Sequence, residues 1–94
     1  MEIRFYLDPE TGLPHIYGHG VREEEVEQVL RASGGDLRGT RGSRMKLGRT
    51  SAGRYLQVIY TPDLEPASVF VITAYDMGER AKKSYRRRKR RKPR

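Results

Sequence analysis

The sequence predicts a small α+β domain with an antiparallel sheet of three to four strands, a helix in its N-terminal region and a basic C-terminal helix. Two segments, residues 55–61 and 68–75, are rich in β-branched and aromatic residues, which is typical of buried strands. One segment near the N-terminus repeats its apolar residues with helical spacing. With 94 residues, the chain has room for one such domain.

The first third of the chain predicts a strand, a turn and a helix. Residues 2–7 alternate loosely between polar and apolar side chains, as a strand does. Residues 8–12 contain proline and glycine and predict a turn. Residues 21–32 predict a helix because Val26, Val29 and Leu30 recur on one helical face. Glutamates at positions 23–25 suit the positive end of the helix dipole, and two glycines at 34 and 35 predict its end.

The rest of the chain predicts strands followed by a basic helix. Residues 36–50 are rich in Gly and Arg and predict one or two strands, and Gly53 marks a tight turn. Because only a short loop separates residues 55–61 from 68–75, these two strands are predicted to form an antiparallel hairpin. A basic helix is expected from residue 79 to about residue 92, where Pro93 ends it.

Charge is divided unequally along the chain. Residues 1–79 contain all twelve acidic residues and nine basic ones, a net charge of −3. Residues 80–94 contain eleven basic residues and no acidic one, a net charge of +11, and the whole chain carries +8. We therefore predict that residues 1–79 form a single compact domain and that residues 80–94 form a basic helix or tail continuous with it.

The basic C-terminal segment predicts a polyanionic partner. Clustered Lys and Arg bind phosphate backbones with an affinity that falls steeply with salt. The alternative is a solvated segment that contributes only solubility. The predicted nucleic-acid-binding residues are Arg80, Lys82, Lys83, Arg86, Arg87, Arg88, Lys89 and Arg90.

Composition excludes several classes of protein. The chain has no cysteine, which excludes a disulfide scaffold and a thiolate zinc site and fits a reducing compartment. Its longest apolar run, residues 67–75, is far shorter than the roughly 20 residues of a membrane span. No hydrophobic signal core follows the first methionine, so a cytoplasmic protein without a membrane partner is expected. No cofactor is predicted. No metal site is predicted either, because His15 and His19 lack a third ligand at a suggestive spacing.

Four residues of the acidic part are candidates for a chemical role. His19 could transfer a proton near neutral pH, or could instead hydrogen-bond the start of the helix. Arg49 and Arg54 flank the Gly53 turn and could bind phosphate at one end of the sheet, or lie on a solvated strand face. Tyr75, near the end of the last strand, could stack on a base or move a proton, or could pack under the C-terminal helix.

Several short motifs carry a family resemblance. In chain order they are His19-Gly20-Val21, Glu24-Glu25-Val26, Gly48-Arg49-Thr50, Gly53-Arg54-Tyr55-Leu56 and Val71-Ile72-Thr73-Ala74. Their order and spacing, from about residue 16 to residue 91, resemble the BrnT-type toxins and related small domains of the RelE/ParE superfamily. Such a resemblance implies a RelE-like fold. It also implies a metal-independent endoribonuclease toxin that acts on RNA, free or on ribosomes, and is held inactive by an antitoxin encoded beside it.

The resemblance also assigns roles to residues. In such toxins the 2′-hydroxyl of RNA attacks the adjacent phosphate, which requires a base, an acid and cations for the transition state. His19 matches the histidine of the family's His-Gly motif, Arg49 and Arg54 match its arginines, and Thr73 matches a small hydroxyl residue. The sequence departs from the family at Tyr75, where an arginine usually follows the last strand's alanine. This departure removes a cation from a position where phosphate stabilisation is expected. Tyr75 could take its place as an acid or a stacking group, or activity could be lost.

The sequence therefore predicts one of two functions. One is the endoribonuclease toxin, with His19, Arg49, Arg54 and Tyr75 as its catalytic residues. The other is a non-catalytic RNA- or DNA-binding module, or a protein-interaction domain, that uses the basic C-terminal segment.

Overall fold

The computed structural model describes residues 2–63 and 67–90 and confirms an α+β domain. Its elements are strand β1 (Glu2–Phe5), a 3-10 helix (His15–His19), helix α1 (Glu23–Arg31), strands β2 (Asp36–Arg38), β3 (Arg44–Arg49), β4 (Tyr55–Pro62) and β5 (Ser68–Asp76), and helix α2 (Glu79–Arg90). The sequence predicts no helix or strand at the position of the 3-10 helix. Residues 91 and 92, the predicted end of the basic helix, lie outside the described residues.

The sheet is five-stranded and mixed, in the order β1-β5-β4-β3-β2. The prediction of an antiparallel sheet of three to four strands is therefore wrong, although the β4–β5 hairpin is antiparallel as predicted. Residues 36–50 form two strands because Arg41 and Gly42, both at positive φ, reverse the chain between them. β1 pairs in parallel with β5, which is distant in sequence, and no local pattern indicates such a pairing.

The hydrophobic core lies between α1 and one face of the sheet, which we call the α1 face. Val26, Val29 and Leu30 of α1 are buried against residues such as Leu56 and Val58 of β4, as the helical spacing predicted. Burying one such side chain contributes about 1.5–3 kcal/mol. Close packing here depends on Gly48, since a Cβ atom at that position would lie 2.8 Å from the side chain of Val29.

Charged groups satisfy both ends of α1. At its start, the backbone N–H of Arg22 donates a hydrogen bond to the carboxylate of Glu25 at 3.0 Å. At its end, the ammonium group of buried Lys46 donates to the carbonyl oxygens of Leu30 and Ala32. A cation suits the negative end of the helix dipole. Lys46 is therefore a structural residue.

Helix α2 packs on the opposite face of the sheet, which we call the α2 face. It contacts β3, and the ring of Tyr85 lies edge-on to that of Tyr55 on β4, with 5.9 Å between ring centroids. Leu47 and Met77 are buried but do not belong to the core cluster beneath α1. The basic helix is therefore joined to the sheet through side-chain packing. Within residues 2–63 and 67–90, no helix has the length and apolar character needed to cross a membrane.

Candidate nucleic-acid interface

Strand alternation brings several candidate residues to the α2 face. Leu56 and Val58 point into the core, so their neighbours Tyr55 and Gln57 point to the other side of the sheet. In the strand register Arg49 lies opposite Tyr55, and Tyr75 lies opposite Gln57. Because directly paired residues share a face, all four side chains lie on the α2 face.

A row of aromatic rings extends this surface beyond Tyr75, where the 3-10 helix lies beside β5. The ring centroids of Tyr75 and His19 are 5.8 Å apart, those of His19 and His15 are 5.3 Å apart, and those of His15 and Tyr6 are 5.9 Å apart. We call these four residues the aromatic row. His15 also lies 3.9 Å from the carboxylate of Asp8.

At one end of the aromatic row, His19 and Tyr75 carry groups that can accept or donate a proton. His19 is exposed to solvent, and Tyr75 is half-buried beside it. The amide nitrogen of Gln57 donates a hydrogen bond to the hydroxyl oxygen of Tyr75 at 3.1 Å. Since that oxygen accepts the amide hydrogen, its own proton is directed elsewhere and can be given to a ligand. An imidazole and a phenol in contact therefore offer a proton acceptor and a proton donor on one exposed surface.

A second cluster gathers cations around Tyr55. The guanidinium carbons of Arg49 and Arg86 lie 5.4 and 5.3 Å from the centre of its ring, and the Lys82 ammonium lies at 5.7 Å. The ammonium of Lys89 lies 6.0 Å from the ring of Tyr85. The residues of α2 in this cluster recur every three or four positions, so they share one helical face.

This cluster encloses an open cavity of about 310 Å³, which we call the Tyr55 pocket. Its lining consists of Arg49, Tyr55, Tyr85, Arg86 and Lys89. The Arg86 guanidinium, together with the charges of Arg49 and Lys82, lowers the pKa of the Tyr55 phenol despite the opposing effect of burial. The pocket is therefore strongly positive, and two of its five lining residues are aromatic.

Gly53 helps to position Arg49 beside the Tyr55 pocket. It adopts a φ of +94° in the turn between β3 and β4, a conformation that favours glycine. A Cβ atom at this position would lie 3.3 Å from the guanidinium of Arg49. The turn residue therefore both reverses the chain and leaves room for the arginine side chain.

Arg54, on the far side of the same turn, lies on the α1 face. Its Nε donates to Asp76 at 2.7 Å, and its Nη1 donates to the carbonyl of Gly20 at 2.8 Å and to Glu25 at 3.1 Å. The hydrogen bond to Asp76 is the main cause that raises the pKa of Arg54, and the same hydrogen bond lowers the pKa of Asp76. Arg54 thus joins α1, the 3-10 helix and β5, with both of its charge partners already in place.

The structure brings His19, Arg49 and Tyr75 to one continuous surface and leaves Arg54 outside it. Tyr75 contacts His19, and the tyrosine that packs against α2 is Tyr55. Thr73, which the family resemblance singled out, has a buried hydroxyl without a hydrogen-bond partner among residues 2–63 and 67–90.

The basic residues of α2 divide into two groups. Lys82, Arg86 and Lys89 contact the rings of Tyr55 and Tyr85, next to the sheet. The side chains of four others are exposed to solvent: Arg80, Lys83, Arg87 and Arg88. The side chain of Arg90 lies outside the described part of the chain. The helix therefore offers both a pocket wall and an exposed positive surface.

Sequence reasoning missed Tyr55 and Gln57. Both lie in a segment whose apolar residues suggested burial on both faces of the strand. That interpretation concealed that Tyr55 lies opposite Arg49 and that Gln57 lies opposite Tyr75. The signal that could have found Tyr55 is its position just after the Gly53 turn, which pairs it with Arg49.

In the part of the chain that the structure describes, no three His, Asp or Glu side chains come together in a way that could hold a metal ion. No family model, curated protein or solved structure matches this chain. Support for a function therefore comes from the geometry of the α2 face and from the motif resemblance.

Proposed function

We propose that this protein is a metal-independent endoribonuclease of the RelE/BrnT type that holds single-stranded RNA on the α2 face. The observation that carries the proposal is the continuous surface from His19 through Tyr75 and Gln57 to Tyr55 and Arg49. It combines proton-transfer groups, stacking rings and a cation beside a helix rich in Lys and Arg. These are the elements that RNA binding and cleavage require.

The proposed reaction is an internal transesterification. His19 accepts the proton of the 2′-hydroxyl, whose oxygen attacks the adjacent phosphorus, and the bond from phosphorus to the 5′-oxygen breaks. Tyr75 donates its phenolic proton to that leaving oxygen, and Arg49 stabilises the added negative charge on the phosphorane. The products are a 2′,3′-cyclic phosphate and a 5′-hydroxyl. Since the rings of His19 and Tyr75 are in contact, the proton can return from the imidazole to the phenolate over a short path.

Arg54 takes a different role in this proposal from the one that the resemblance implies. Its guanidinium is bound to Asp76 and Glu25, so recruiting it to a phosphate would break both ion pairs. We assign it as a positioning residue that fixes the end of the 3-10 helix through Gly20, the residue after His19.

The wider biological role follows from the family resemblance. A toxin of this type acts in the cytoplasm on RNA, either free or on ribosomes, and is neutralised by an antitoxin protein encoded beside it. The exposed cations of α2, among them Arg80, Lys83 and Arg87, suit contact with RNA or with an acidic antitoxin.

The experiment is an RNA cleavage assay in the presence of a metal chelator, with analysis of the product ends. Wild-type protein is expected to cut RNA and leave 2′,3′-cyclic phosphates. His19→Ala and Tyr75→Phe are each expected to cut at least about 100-fold more slowly. Tyr17→Phe is the matched control, since the Tyr17 hydroxyl is exposed and donates to Glu23.

Two outcomes would overturn the proposal. One is that the wild-type protein cuts no RNA, either free or on ribosomes. The other is that His19→Ala and Tyr75→Phe both cut as fast as Tyr17→Phe.

A second candidate function is a non-catalytic RNA-binding module. The Tyr55 pocket favours it, because stacking rings and cations are sufficient for binding without chemistry. Under this function the protein binds RNA and 2′-O-methyl RNA with equal affinity and leaves both intact.

A further inference from the structure

Within the part of the chain that the structure describes, the lining of the Tyr55 pocket holds several positive charges and no acidic residue. Among residues 2–63 and 67–90, Arg49, Arg86 and Lys89 form no ion pair with a carboxylate. Lys82 forms an ion pair with the exposed Glu79, at 3.9 Å. Like charges brought together in this way repel one another, and a bound anion relieves the repulsion. The cavity is thus suited to phosphate.

The aromatic residues of the pocket can also bind a planar base. The rings of Tyr55 and Tyr85 meet edge to face, at an interplanar angle of 83°. A planar base can stack on such rings, and arginine guanidinium groups also stack on bases. The volume of about 310 Å³ is at the lower end of the range for small-molecule sites.

We propose that the Tyr55 pocket binds the phosphate and the base of one nucleotide of single-stranded RNA. In this arrangement Arg49, Arg86 and Lys89 hold the phosphate, and the base stacks on Tyr55 or Tyr85. A free nucleoside monophosphate is the smallest ligand that contains both parts.

The position of this nucleotide along the RNA rests on the proposed function. Tyr55 and Tyr75 are diagonal neighbours on adjacent strands, a relation that separates residues by about 7–8 Å. The pocket therefore holds a nucleotide next to the one whose phosphate lies at His19 and Tyr75. Binding of a nucleotide in the pocket does not itself require cleavage.

The test is a nuclear magnetic resonance titration of the full chain with uridine 5′-monophosphate, uridine and inorganic phosphate. Uridine 5′-monophosphate is expected to bind at least about tenfold more tightly than either of the others, because only it engages both the cations and the rings. Its phosphate offsets the nearby cations, so the pKa of the Tyr55 phenol is expected to rise towards its ordinary value on binding.

Arg86→Ala is the decisive variant, and Arg31→Ala is its matched control. Arg31 is also an exposed helical arginine, but it lies at the end of α1 and outside the pocket lining. Arg86→Ala is expected to weaken nucleotide binding by about tenfold, and Arg31→Ala by less than about twofold. Thermal unfolding of each variant verifies that it is folded.

The proposal is overturned if Arg31→Ala weakens binding as much as Arg86→Ala, since the effect would then be one of total charge. It is also overturned if uridine 5′-monophosphate binds no more tightly than inorganic phosphate. Failure of the cleavage proposal is a separate result. If the protein cuts no RNA but binds the nucleotide in a way that depends on Arg86, the pocket proposal stands and the nuclease proposal fails. If the protein cuts RNA but shows no such nucleotide binding, the nuclease proposal stands and the pocket proposal fails.

Discussion

Arg49 and Arg54 flank one tight turn and differ in almost every respect that matters for function. Arg54 lies on the α1 face and is bound by Asp76 and Glu25. Arg49 lies on the α2 face, is exposed, and contacts the ring of Tyr55 among other cations. The first arginine has its charge compensated inside the fold. The second leaves its charge to be compensated by a ligand.

This difference shows that an arginine's chemistry depends on the partners that the fold places around it. Both residues belong to similar Gly-Arg motifs and look equivalent in the sequence. An ion pair that links separate elements stabilises the fold, whereas a cluster of unpaired cations binds anions at some cost in repulsion. Substitutions at and around the two arginines test that contrast, from the largest expected effect to the smallest.

Arg54→Ala is expected to lower the free energy of unfolding by about 2 kcal/mol. It leaves the buried carboxylate of Glu25 without its cation, and the partial exposure of Arg54 reduces the effect below that of a fully buried pair. Urea denaturation measures the change. At temperatures where the variant is folded, its affinity for RNA is expected to stay within about twofold of the wild type. A variant as stable as the wild type would show that Arg54 is not a structural residue.

Asp76→Asn is expected to reduce the loss of unfolding free energy that the protein shows on acidification. The difference from the wild type is under about 1 kcal/mol because Asp76 is largely exposed. Arg54 lowers the pKa of Asp76 in the folded protein. The resulting stabilisation is complete above the unfolded-state pKa of about 3.9 and is lost as the pH falls through the lower native pKa. Urea denaturation between about pH 6 and about pH 2 should therefore show a smaller loss of unfolding free energy in Asp76→Asn than in the wild type.

The control for Asp76→Asn is Glu27→Gln, a change at an exposed residue of α1 that forms no ion pair among residues 2–63 and 67–90. Glu27→Gln should keep the acid dependence of the wild type. An equal change in both variants would mean that net charge, and not the pairing with Arg54, determines the acid response.

Arg49→Ala is expected to change the free energy of unfolding by less than about 0.5 kcal/mol. Its effect should appear instead in RNA binding, where the slope of log affinity against log salt concentration becomes shallower by about 0.7 for each phosphate that the protein no longer neutralises. Fluorescence anisotropy with a labelled single-stranded RNA measures the slope. An unchanged slope would place Arg49 outside the RNA interface.

Arg49→Lys is the finest test of the pocket. It keeps the positive charge, so the salt slope should remain that of the wild type. Lysine lacks the planar group that lies over Tyr55, so the affinity for single-stranded RNA is expected to fall about two- to threefold. The same anisotropy titration measures both quantities. A salt slope as shallow as that of Arg49→Ala would contradict the role of charge at this position.

Much of the fold was predictable because it depends on local patterns. The spacing of Val26, Val29 and Leu30 indicated α1 and its buried side, and the β-branched composition of two segments indicated β4 and β5. The short loop between those strands indicated their antiparallel pairing. Each of these features depends on residues close together in the sequence.

Long-range features were not predictable in the same way. The parallel pairing of β1 with β5 joins residues such as Ile3 and Val69, and neither segment alone indicates the other. The role of Lys46 depends on where α1 ends in space, since its ammonium binds carbonyl oxygens of that helix and of the residue after it. Interactions of this kind are decided by packing.

The sequence by itself determined the α+β class, the two helices, the central hairpin and the concentration of positive charge after residue 79. It also supplied the candidates His19, Arg49, Arg54 and Tyr75. Only the tertiary structure decided which of them share a surface, because the face of a strand residue depends on the register between strands. That register places Arg49 beside Tyr55 and open to an anion, and leaves Arg54 on the other face, compensated by two carboxylates.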